Sequence, residues 1–177
     1  MTPTGPEYVI HFDPEKCTQC HGCEIACKTW RGLDYGIRYR RVLNLWRARY
    51  PQGASASLSL ACLHCVDPPC AAACPEEAIT KDPADGQVRV DSGRCTGCEL
   101  CREACPYGVP QFGAAGAAGI MEKCDLCFPP AISDAPPPCV DTCPGRALSL
   151  RRLTRKEKIA HQAAIRHLLS AVNSDSL

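Results

Sequence analysis

The chain has 177 residues and a formal net charge of +1, with 20 Lys and Arg against 19 Asp and Glu, so it accommodates one or two small domains and shows no bulk signal for nucleic acid. Its sixteen cysteines are far above ordinary usage, and domains this short of core are commonly held together by metals or disulfides. No apolar run approaches the roughly 18 residues that indicate a membrane span.

A strand is predicted over Tyr8–Asp13, where bulky and β-branched residues precede the first cysteines. The apolar residues Ala147–Leu150, which follow the last cysteine, predict a second strand. Together the two strands predict a short sheet that joins the two ends of the chain.

The cysteines after the first strand begin a pattern that occurs four times and uses all sixteen cysteines. Two quartets have the spacing CxxCxxCxxxC, and the other two widen the middle gap to four and to eleven residues. In this spacing the first three thiolates converge on one iron-sulfur cluster, and the fourth points away towards a second cluster. Each quartet therefore implies a partner quartet. The four quartets are Cys17, Cys20, Cys23 and Cys27; Cys62, Cys65, Cys70 and Cys74; Cys95, Cys98, Cys101 and Cys105; and Cys124, Cys127, Cys139 and Cys143.

A segment rich in arginine, tryptophan and tyrosine, from Trp30 to Tyr50, separates the first two quartets. Three interpretations remain open for it. The first is a partly solvated strand or hairpin. The second is a docking surface for a protein, since these residue types are enriched at interfaces. The third is a site for single-stranded nucleic acid, although the rest of the chain shows no complementary basic surface. The small polar residues of Pro51–Ser59 predict a loop.

A hairpin is predicted over Ile79–Val90, where two short apolar runs flank Asp85 and Gly86. The sequence GAAGAAG at 113–119 is typical of a linker. A proline-rich loop lies between the second and third cysteines of the fourth quartet.

The last predicted element is an amphipathic helix. Residues Thr154 to Glu157 form a capping-box pattern, which predicts where the helix begins. We expect the helix to pack on this protein or on a partner, through apolar residues at helical spacing, which are Ile165, Leu168, Leu169 and Val172.

Disulfides and zinc are the alternatives to iron for so many thiols. The N-terminal residues lack the pattern of a secretion signal, and cysteines two residues apart on tight loops are better placed to share a metal than to pair. One zinc ion closes with four ligands, usually from two separated CxxC pairs, so a third closely spaced cysteine would be surplus. The pattern therefore favours iron-sulfur clusters.

No residue is predicted to be catalytic. The five histidines are scattered, and the chain has no dinucleotide-binding glycine motif, no P-loop and no paired-carboxylate arrangement. Four basic residues flank cysteines. Two interpretations are open for their side chains: they are simply solvated, or their positive charge raises the reduction potential of a nearby cluster. We therefore expect conduction of electrons and no catalysis. The flanking residues are Lys28, Arg94, Arg102 and Lys123.

Longer motifs surround the quartets: CTQCHGCEIACK, YRRV at 39–42, LACLHCVDPPCAAACP, CTGCELCREACPYGVPQF, EKCDLC and PPCVDTCPGRAL. Over residues 8–150 they resemble the four-cluster iron-sulfur subunits of the dimethyl sulfoxide reductase family of molybdopterin oxidoreductases. The resemblance implies an α+β fold, in which one bacterial-type dicluster ferredoxin-like module is inserted into another. The outer module would comprise residues 1–53 and 113–152, the inner module 54–112, and a C-terminal helix with its tail 153–177.

The resemblance also implies a crossed ligation of four 4Fe-4S clusters. Since Cys98 is present, where some relatives lack an inner-module cysteine and hold a 3Fe-4S cluster, all four are expected to be 4Fe-4S. The implied ligand sets are Cys17, Cys20, Cys23 and Cys143 for cluster 1; Cys27, Cys124, Cys127 and Cys139 for cluster 2; Cys62, Cys65, Cys70 and Cys105 for cluster 3; and Cys74, Cys95, Cys98 and Cys101 for cluster 4.

The partners implied are a large molybdopterin catalytic subunit and a membrane anchor or a soluble redox partner. A ferredoxin-like subunit of a hydrogenase, formate dehydrogenase or carbon monoxide dehydrogenase system is the alternative within the same chemistry, and a zinc-binding or nucleic-acid-binding module is the alternative outside it. We expect no nucleic acid partner and no membrane span. With no export signal in the sequence, membrane association is expected through partners, on the cytoplasmic side or, after co-export with a twin-arginine partner, on the periplasmic side.

Overall fold

The computed structural model describes residues 7–47, 54–113, 119–127 and 135–174. Within these ranges the strands pair into four two-stranded antiparallel sheets, connected by short helices and loops. The mixed content of helix and strand agrees with the predicted α+β class. The elements are β1 (Glu7–Phe12), α1 (Gly22–Arg31), β2 (Arg40–Arg47), β3 (Ala54–Ala61), α2 (Pro69–Ala72), β4 (Ile79–Lys81), β5 (Val88–Val90), α3 (Leu100–Ala104), β6 (Gln111–Phe112), β7 (Met121–Glu122), α4 (Pro138–Asp141), β8 (Leu148–Leu153) and α5 (Arg155–Ser174).

The predicted sheet between the two ends of the chain is confirmed. β1 pairs with β8, with Glu7 opposite Leu153 and Phe12 opposite Leu148. The chain crossing beside this sheet is tight, because a side chain at Gly145 would collide with the carbonyl group of Lys16. The sheet therefore holds the first and last cysteine loops against each other.

The strand interpretation of the arginine-rich segment is confirmed, and the loop predicted after it is wrong. β2 pairs with β3, from Arg40 opposite Ala61 to Arg47 opposite Ala54. Residues 54–59 thus form a strand, while 51–53 lie outside the described residues. Successive residues from Ser57 to Ala61 are all buried, so this part of β3 has no solvent face, although serine alternates with alanine and leucine along the strand.

The hairpin predicted over Ile79–Val90 is confirmed, with β4 paired to β5 and Ile79 opposite Val90. Its turn includes Gly86 at φ +72°, where a side chain would collide with the side chain of Glu7. Glycine is therefore required both by the backbone conformation and by the close approach of β1. Residues 114–118 of the predicted linker and 128–134 of the proline-rich loop lie outside the described residues.

The predicted C-terminal helix and its capping box are confirmed. The backbone N–H of Thr154 donates to Glu157 Oε2 at 2.7 Å, and the N–H of Glu157 donates to Thr154 Oγ1 at 3.4 Å. The α5 helix that follows packs on β1 and β8 and buries Ile165. Of the helices in the described part of the chain, none has both the length and the apolar character needed to cross a bilayer.

Among the described residues the apolar core has two parts, and both contain cysteines. The larger cluster is built on Phe12, Leu58 and Ile165, and the smaller one on Ile79 and Val88. The short helices that carry cysteines pack in pairs, α1 on α4 and α2 on α3. Through these pairs the first quartet meets the fourth, and the second quartet meets the third.

Candidate metal centres

Three cavities are each lined by four cysteines that come from two quartets. In each cavity three cysteines belong to one quartet, and the fourth is the terminal cysteine of another. These are the combinations that the family resemblance implies for clusters 1, 3 and 4. We name each cavity by its first cysteine: the Cys17 cavity holds Cys17, Cys20, Cys23 and Cys143; the Cys62 cavity holds Cys62, Cys65, Cys70 and Cys105; and the Cys74 cavity holds Cys74, Cys95, Cys98 and Cys101.

The other four cysteines, called here the Cys27 group, are Cys27, Cys124, Cys127 and Cys139. Burial raises the pKa of Cys27 to about 11, and thiolate charge on Cys139 and Cys127 contributes to the rise. Burial also raises the pKa of Cys124 to about 12, and charge on Cys62, a member of the Cys62 cavity, and on Cys139 contributes. The thiols of the Cys27 group are therefore close enough to act on one another electrostatically, and Cys124 is also within reach of the Cys62 cavity.

The cysteine loops share an unusual backbone conformation. In every quartet the residue two positions after the first cysteine is left-handed; these residues are Gln19 (φ 58°), His64 (φ 46°), Gly97 (φ 71°) and Leu126 (φ 60°). This conformation is costly for residues with a Cβ and persists where the surrounding structure enforces it. In two loops this conformation directs a backbone N–H group towards a cysteine sulfur. The N–H of His64 donates to Cys62 Sγ at 3.5 Å, and that of Leu126 donates to Cys124 Sγ at 3.4 Å.

A second backbone feature recurs after the terminal cysteines. The third residue after Cys74, Cys105 and Cys143 is left-handed in each case. Its N–H donates to the carbonyl group of that cysteine, at 3.2, 3.1 and 3.0 Å respectively. The same Cys-Pro turn thus presents the last thiol of three quartets, which is consistent with an internal repeat. The left-handed residues are Glu77, Gly108 and Arg146.

The chemistry of these donor sets fits iron-sulfur clusters. Burial raises the pKa of Cys70 to about 12, and charge on the three other cysteines of its cavity contributes. Burial likewise raises the pKa of Cys101 to about 11, with contributions from the three other cysteines of its own cavity. Four thiolates held together in one cavity repel one another, so they need bound cations, and thiolates are the usual ligands of iron in 4Fe-4S clusters. In the described residues, no three His, Cys, Asp or Glu side chains are grouped to hold a single metal ion.

Two lysine side chains lie beside the Cys62 cavity. Lys123 lines it, is only 7% exposed, and donates to the carbonyl groups of Val88 and Cys124. Lys81 Nζ donates to the carbonyl group of Cys65 at 2.8 Å. Fixed positive charge therefore lies close to these four thiols.

One of these cations belongs to a buried ion network. Glu7 Oε2 accepts hydrogen bonds from Lys81, at 2.7 Å, and from Lys158. Glu7 and Lys158 are 2% and 0% exposed. Because Glu7 lies on β1, Lys81 on β4 and Lys158 on α5, the network ties both ends of the chain to the hairpin. Two lysines share one carboxylate, so the network has a net positive charge.

The Cys74 cavity has the opposite character. Two carboxylates, Glu76 and Glu99, line it, and Cys98 is exposed. Glu99 Oε2 accepts a hydrogen bond from Arg102 at 2.6 Å, and both side chains are about half exposed. Solvent therefore reaches this cavity and screens the charges around it.

Arg40 and Ser59 are residues of the site that sequence reasoning missed. Ser59 lines the Cys17 cavity, and its Oγ lies 3.5 Å from Cys23 Sγ. Arg40 Nη1 donates to that Oγ at 2.9 Å, and the side chain is only 3% exposed. The available signal was the alternation of β2, which places Arg40 on the same face as Val42, also buried.

Comparison with known proteins agrees with this geometry. The 4Fe-4S dicluster domain family matches residues 55–153. The chain is 38% identical over 169 residues to one chain of the anaerobic dimethyl sulfoxide reductase of Haemophilus influenzae, covering 90% of this chain and 81% of that protein. It is 44% identical over 121 residues to the formate dehydrogenase iron-sulfur subunit of Wolinella succinogenes, covering 67% and 59% of the two chains.

A third relative is one subunit of the sulfite dehydrogenase of Allochromatium vinosum, 34% identical over 163 residues that cover 80% of this chain and 67% of the relative. The family named from the cysteine motifs is therefore confirmed. The chain belongs to the iron-sulfur, electron-transfer subunits of the dimethyl sulfoxide reductase family of molybdopterin oxidoreductases.

Proposed function

We propose that the chain is a non-catalytic subunit that holds four 4Fe-4S clusters and relays single electrons between a molybdopterin catalytic subunit and a second redox partner. The observation that carries this proposal is the lining of three cavities by four cysteines each, drawn in every case from two quartets. Thiolate-bound clusters of this kind exchange one electron at a time. The clusters would supply the redox chemistry, and the protein would supply the ligands and their surroundings.

The crossed ligation follows from the same grouping. The terminal cysteine of each quartet would bind the cluster of another quartet: Cys143 and Cys27 exchange between the first and fourth quartets, and Cys105 and Cys74 between the second and third. The packing of α1 on α4 and of α2 on α3 supports this scheme. The cavity linings and the mutual charge effects within the Cys27 group support it as well.

Two nested ferredoxin-like modules are the arrangement we propose for these sites. Residues 1–53 and 113–152 would form the outer module with clusters 1 and 2, and residues 54–112 the inner module with clusters 3 and 4. The β1–β8 pairing supports the outer module, since it joins the beginning of one segment to the end of the other. The smaller core cluster around Ile79 and Val88 supports a separate inner module. Residues 153–177 would then form a separate C-terminal segment, whose helix α5 packs against the outer module.

The protein's own residues would adjust each site in three ways. Backbone N–H groups donate to sulfur, as the N–H of Met121 does to Cys95 Sγ at 3.4 Å and that of Ala147 to Cys143 Sγ at 3.3 Å. Burial limits water around the Cys27 group and the Cys62 cavity. Fixed positive charges such as that of Lys123 raise the reduction potential of a nearby cluster. Hydrogen bonds to sulfur, solvent access and net charge are the known determinants of cluster potential.

The partners are proposed from the relatives, which belong to a dimethyl sulfoxide reductase, a formate dehydrogenase and a sulfite dehydrogenase. A molybdenum or tungsten catalytic subunit is therefore the proposed partner on one side, and a membrane anchor or a soluble electron carrier the partner on the other. Association with the membrane would then occur through the partner. A formate dehydrogenase complex is a second candidate, which the 44% identity to the Wolinella succinogenes subunit favours.

Purification of the tagged chain from its anaerobically grown host tests the proposal. We expect a large subunit that contains molybdenum or tungsten to copurify, together with about sixteen iron atoms per chain if all four sites hold 4Fe-4S clusters. An untagged culture serves as the control. Assays of the complex with dimethyl sulfoxide and with formate would distinguish the two candidates. Copurification of a nickel enzyme would contradict the molybdopterin assignment.

A further inference from the structure

Arg40 is a buried cation without a carboxylate partner among the residues that the structure describes. Its side chain is 3% exposed, and its hydrogen bonds go to Ser59, at 2.9 Å to Oγ and 3.4 Å to the carbonyl oxygen. Burying a charge without compensation costs several kcal/mol, roughly, even after the protein relaxes. Other negative charge must therefore offset the guanidinium.

Cysteines of two different sites supply that charge. Burial lowers the pKa of the Arg40 guanidinium, but thiolate charge more than reverses this effect and raises the pKa above its usual value. The thiolates that act on it are those of Cys139, Cys124, Cys23 and Cys27. Cys23 lines the Cys17 cavity, and the other three form most of the Cys27 group. The Arg40 guanidinium therefore interacts electrostatically with thiolates of both sites proposed for the outer module.

The connection to the Cys17 cavity is a short chain of polar atoms. Arg40 Nη1 donates to Ser59 Oγ, which in turn lies 3.5 Å from Cys23 Sγ. A neutral side chain at position 40 would remove the positive charge and leave Ser59 without this donor. The Cys62 and Cys74 cavities have no lining residue in common with this chain of atoms.

We propose that Arg40 is a positioning residue that raises the reduction potentials of both outer sites together and so keeps them matched for electron transfer. This inference rests on the four-cluster function proposed above. An electron that moves between the two sites reduces one and oxidises the other, and each reduction adds one negative charge to its site. A fixed positive charge stabilises the reduced form more than the oxidised form. Arginine suits this role because it stays charged in every redox state.

Arg41 provides a matched control on the same strand. It lies on the opposite face of β2, where its Nη2 donates to the carbonyl group of Gly108 at 2.8 Å and to that of Tyr107 at 3.3 Å. These hydrogen bonds of Arg41 involve neither Ser59 nor the cysteines of the outer sites. R41Q therefore removes the same charge from the same strand without touching the outer pair.

The experiment compares R40Q, R40K and R41Q in the anaerobically purified complex. Potentiometric titration followed by electron paramagnetic resonance gives the midpoint potential of each cluster, and iron analysis gives cluster content. Signals of the Cys17 cavity are identified by their loss in C143S. We expect R40Q to lower the potentials of both outer clusters and to leave the inner pair unchanged. R40K should restore most of the shift, and R41Q should leave the outer pair at native values.

Each outcome decides the matter. Loss of iron from the outer sites in R40Q, with full iron in R40K, also supports the proposal, because the two variants differ chiefly in charge. Full iron and native outer potentials in R40Q would overturn it, and so would loss of iron from both variants or an equal shift of all four clusters. A native complex with far fewer than about sixteen iron atoms would overturn the proposed function itself, before any variant is compared.

Discussion

The Cys62 and Cys74 cavities are built from the same two quartets, yet they differ in charge and exposure. Lys123 lines the Cys62 cavity, and Lys81 donates to the carbonyl group of Cys65 within it. Glu76 and Glu99 line the Cys74 cavity, and one of its thiols is exposed. Two sites with the same kind of ligand set therefore have opposite surroundings.

The difference separates two kinds of information in the chain. Cysteine spacing determines which thiols meet, whereas the non-cysteine residues beside the cysteines, such as Lys123, Glu76 and Glu99, determine the electrostatics around them. Positive charge and burial near the Cys62 cavity are expected to give it the higher reduction potential of the inner pair, and carboxylates with solvent access to give the Cys74 cavity the lower one. An electron would then move spontaneously from the Cys74 site to the Cys62 site.

The largest expected effect comes from replacing the terminal cysteine of the second or the third quartet by serine. C105S should damage the cluster of the Cys62 cavity, although Cys105 belongs to the sequence motif that otherwise lines the Cys74 cavity. C74S should do the reverse. Each variant is expected to lose up to about four iron atoms, the content of one 4Fe-4S cluster. Iron analysis and electron paramagnetic resonance of the two variants, each serving as the control for the other, measure this.

The opposite pattern would break the comparison. If C105S lost the signal of the Cys74 cavity and kept that of the Cys62 cavity, ligation would follow the linear motifs and the crossed scheme would be wrong.

The next effect concerns the buried ion network beside the Cys62 cavity. E7Q should lower the free energy of unfolding by about 3–5 kcal/mol, because it leaves the fully buried Lys158 without its counter-charge. Anaerobic guanidinium unfolding of the cluster-loaded protein, followed by cluster absorbance, measures this. The matched control is E15Q on the exposed turn after β1, with an expected change within about 0.5 kcal/mol. Equal stabilities of the two variants would show that the network contributes little.

A smaller effect is expected on the difference in reduction potential between the Cys62 and Cys74 sites. K123M should lower the midpoint potential of the Cys62 site and leave that of the Cys74 site unchanged, since Lys123 lines only the former of the two. E99Q should raise the potential of the Cys74 site by less, because the Glu99 side chain is half exposed and paired with Arg102. Redox titration of both variants tests whether the midpoint potential falls in K123M and rises in E99Q. A larger shift in E99Q than in K123M would reverse the ranking.

The smallest effect lies at the other contact of α5, where His161 stacks on His11 with ring centroids 5.5 Å apart. Burial first, then the charges of His11 and Lys158, lowers the pKa of His161 from 6.5 to about 4. The unfolded chain therefore binds a proton near pH 6.5 that the folded protein does not bind. This contribution to stability is present above about pH 6.5 and is lost as the pH falls towards 4.

The variant H161F should weaken this dependence, because phenylalanine keeps a ring against His11 and cannot take up a proton. Melting temperatures of the loaded protein between about pH 7.5 and 5 measure it. H167F, which alters an exposed histidine on the same helix, is the control. An unchanged pH profile in H161F would show that His161 does not contribute to the pH dependence.

The sequence predicted those parts of the fold that local patterns determine. The capping box at Thr154, the turn at Gly86 and the apolar runs of β1 and β8 each have a local physical signature, and the structure confirms them. The strand over Ala54–Ala61 was missed because serine and alanine are poor strand formers. The alternation of serine with alanine and leucine along it was the local signal that could have indicated a strand.

The candidate site shows the same division. Cysteine spacing indicated the four quartets, but left-handed residues such as Gln19 and Leu126 gave no signal, because they are not glycine. Three interpretations were left open for the segment that contains Arg40, and none of them singled out this residue. Only the pairing of β2 with β3 places it beside Ser59 and buries it.

Iron and acid-labile sulfide analysis of the anaerobically purified native chain tests the central claim most directly. Four groups of four thiolates predict about sixteen iron and about sixteen sulfide per polypeptide. Zinc in place of iron, or a folded protein with about eight iron atoms and half of its cysteines free to react, would contradict the account.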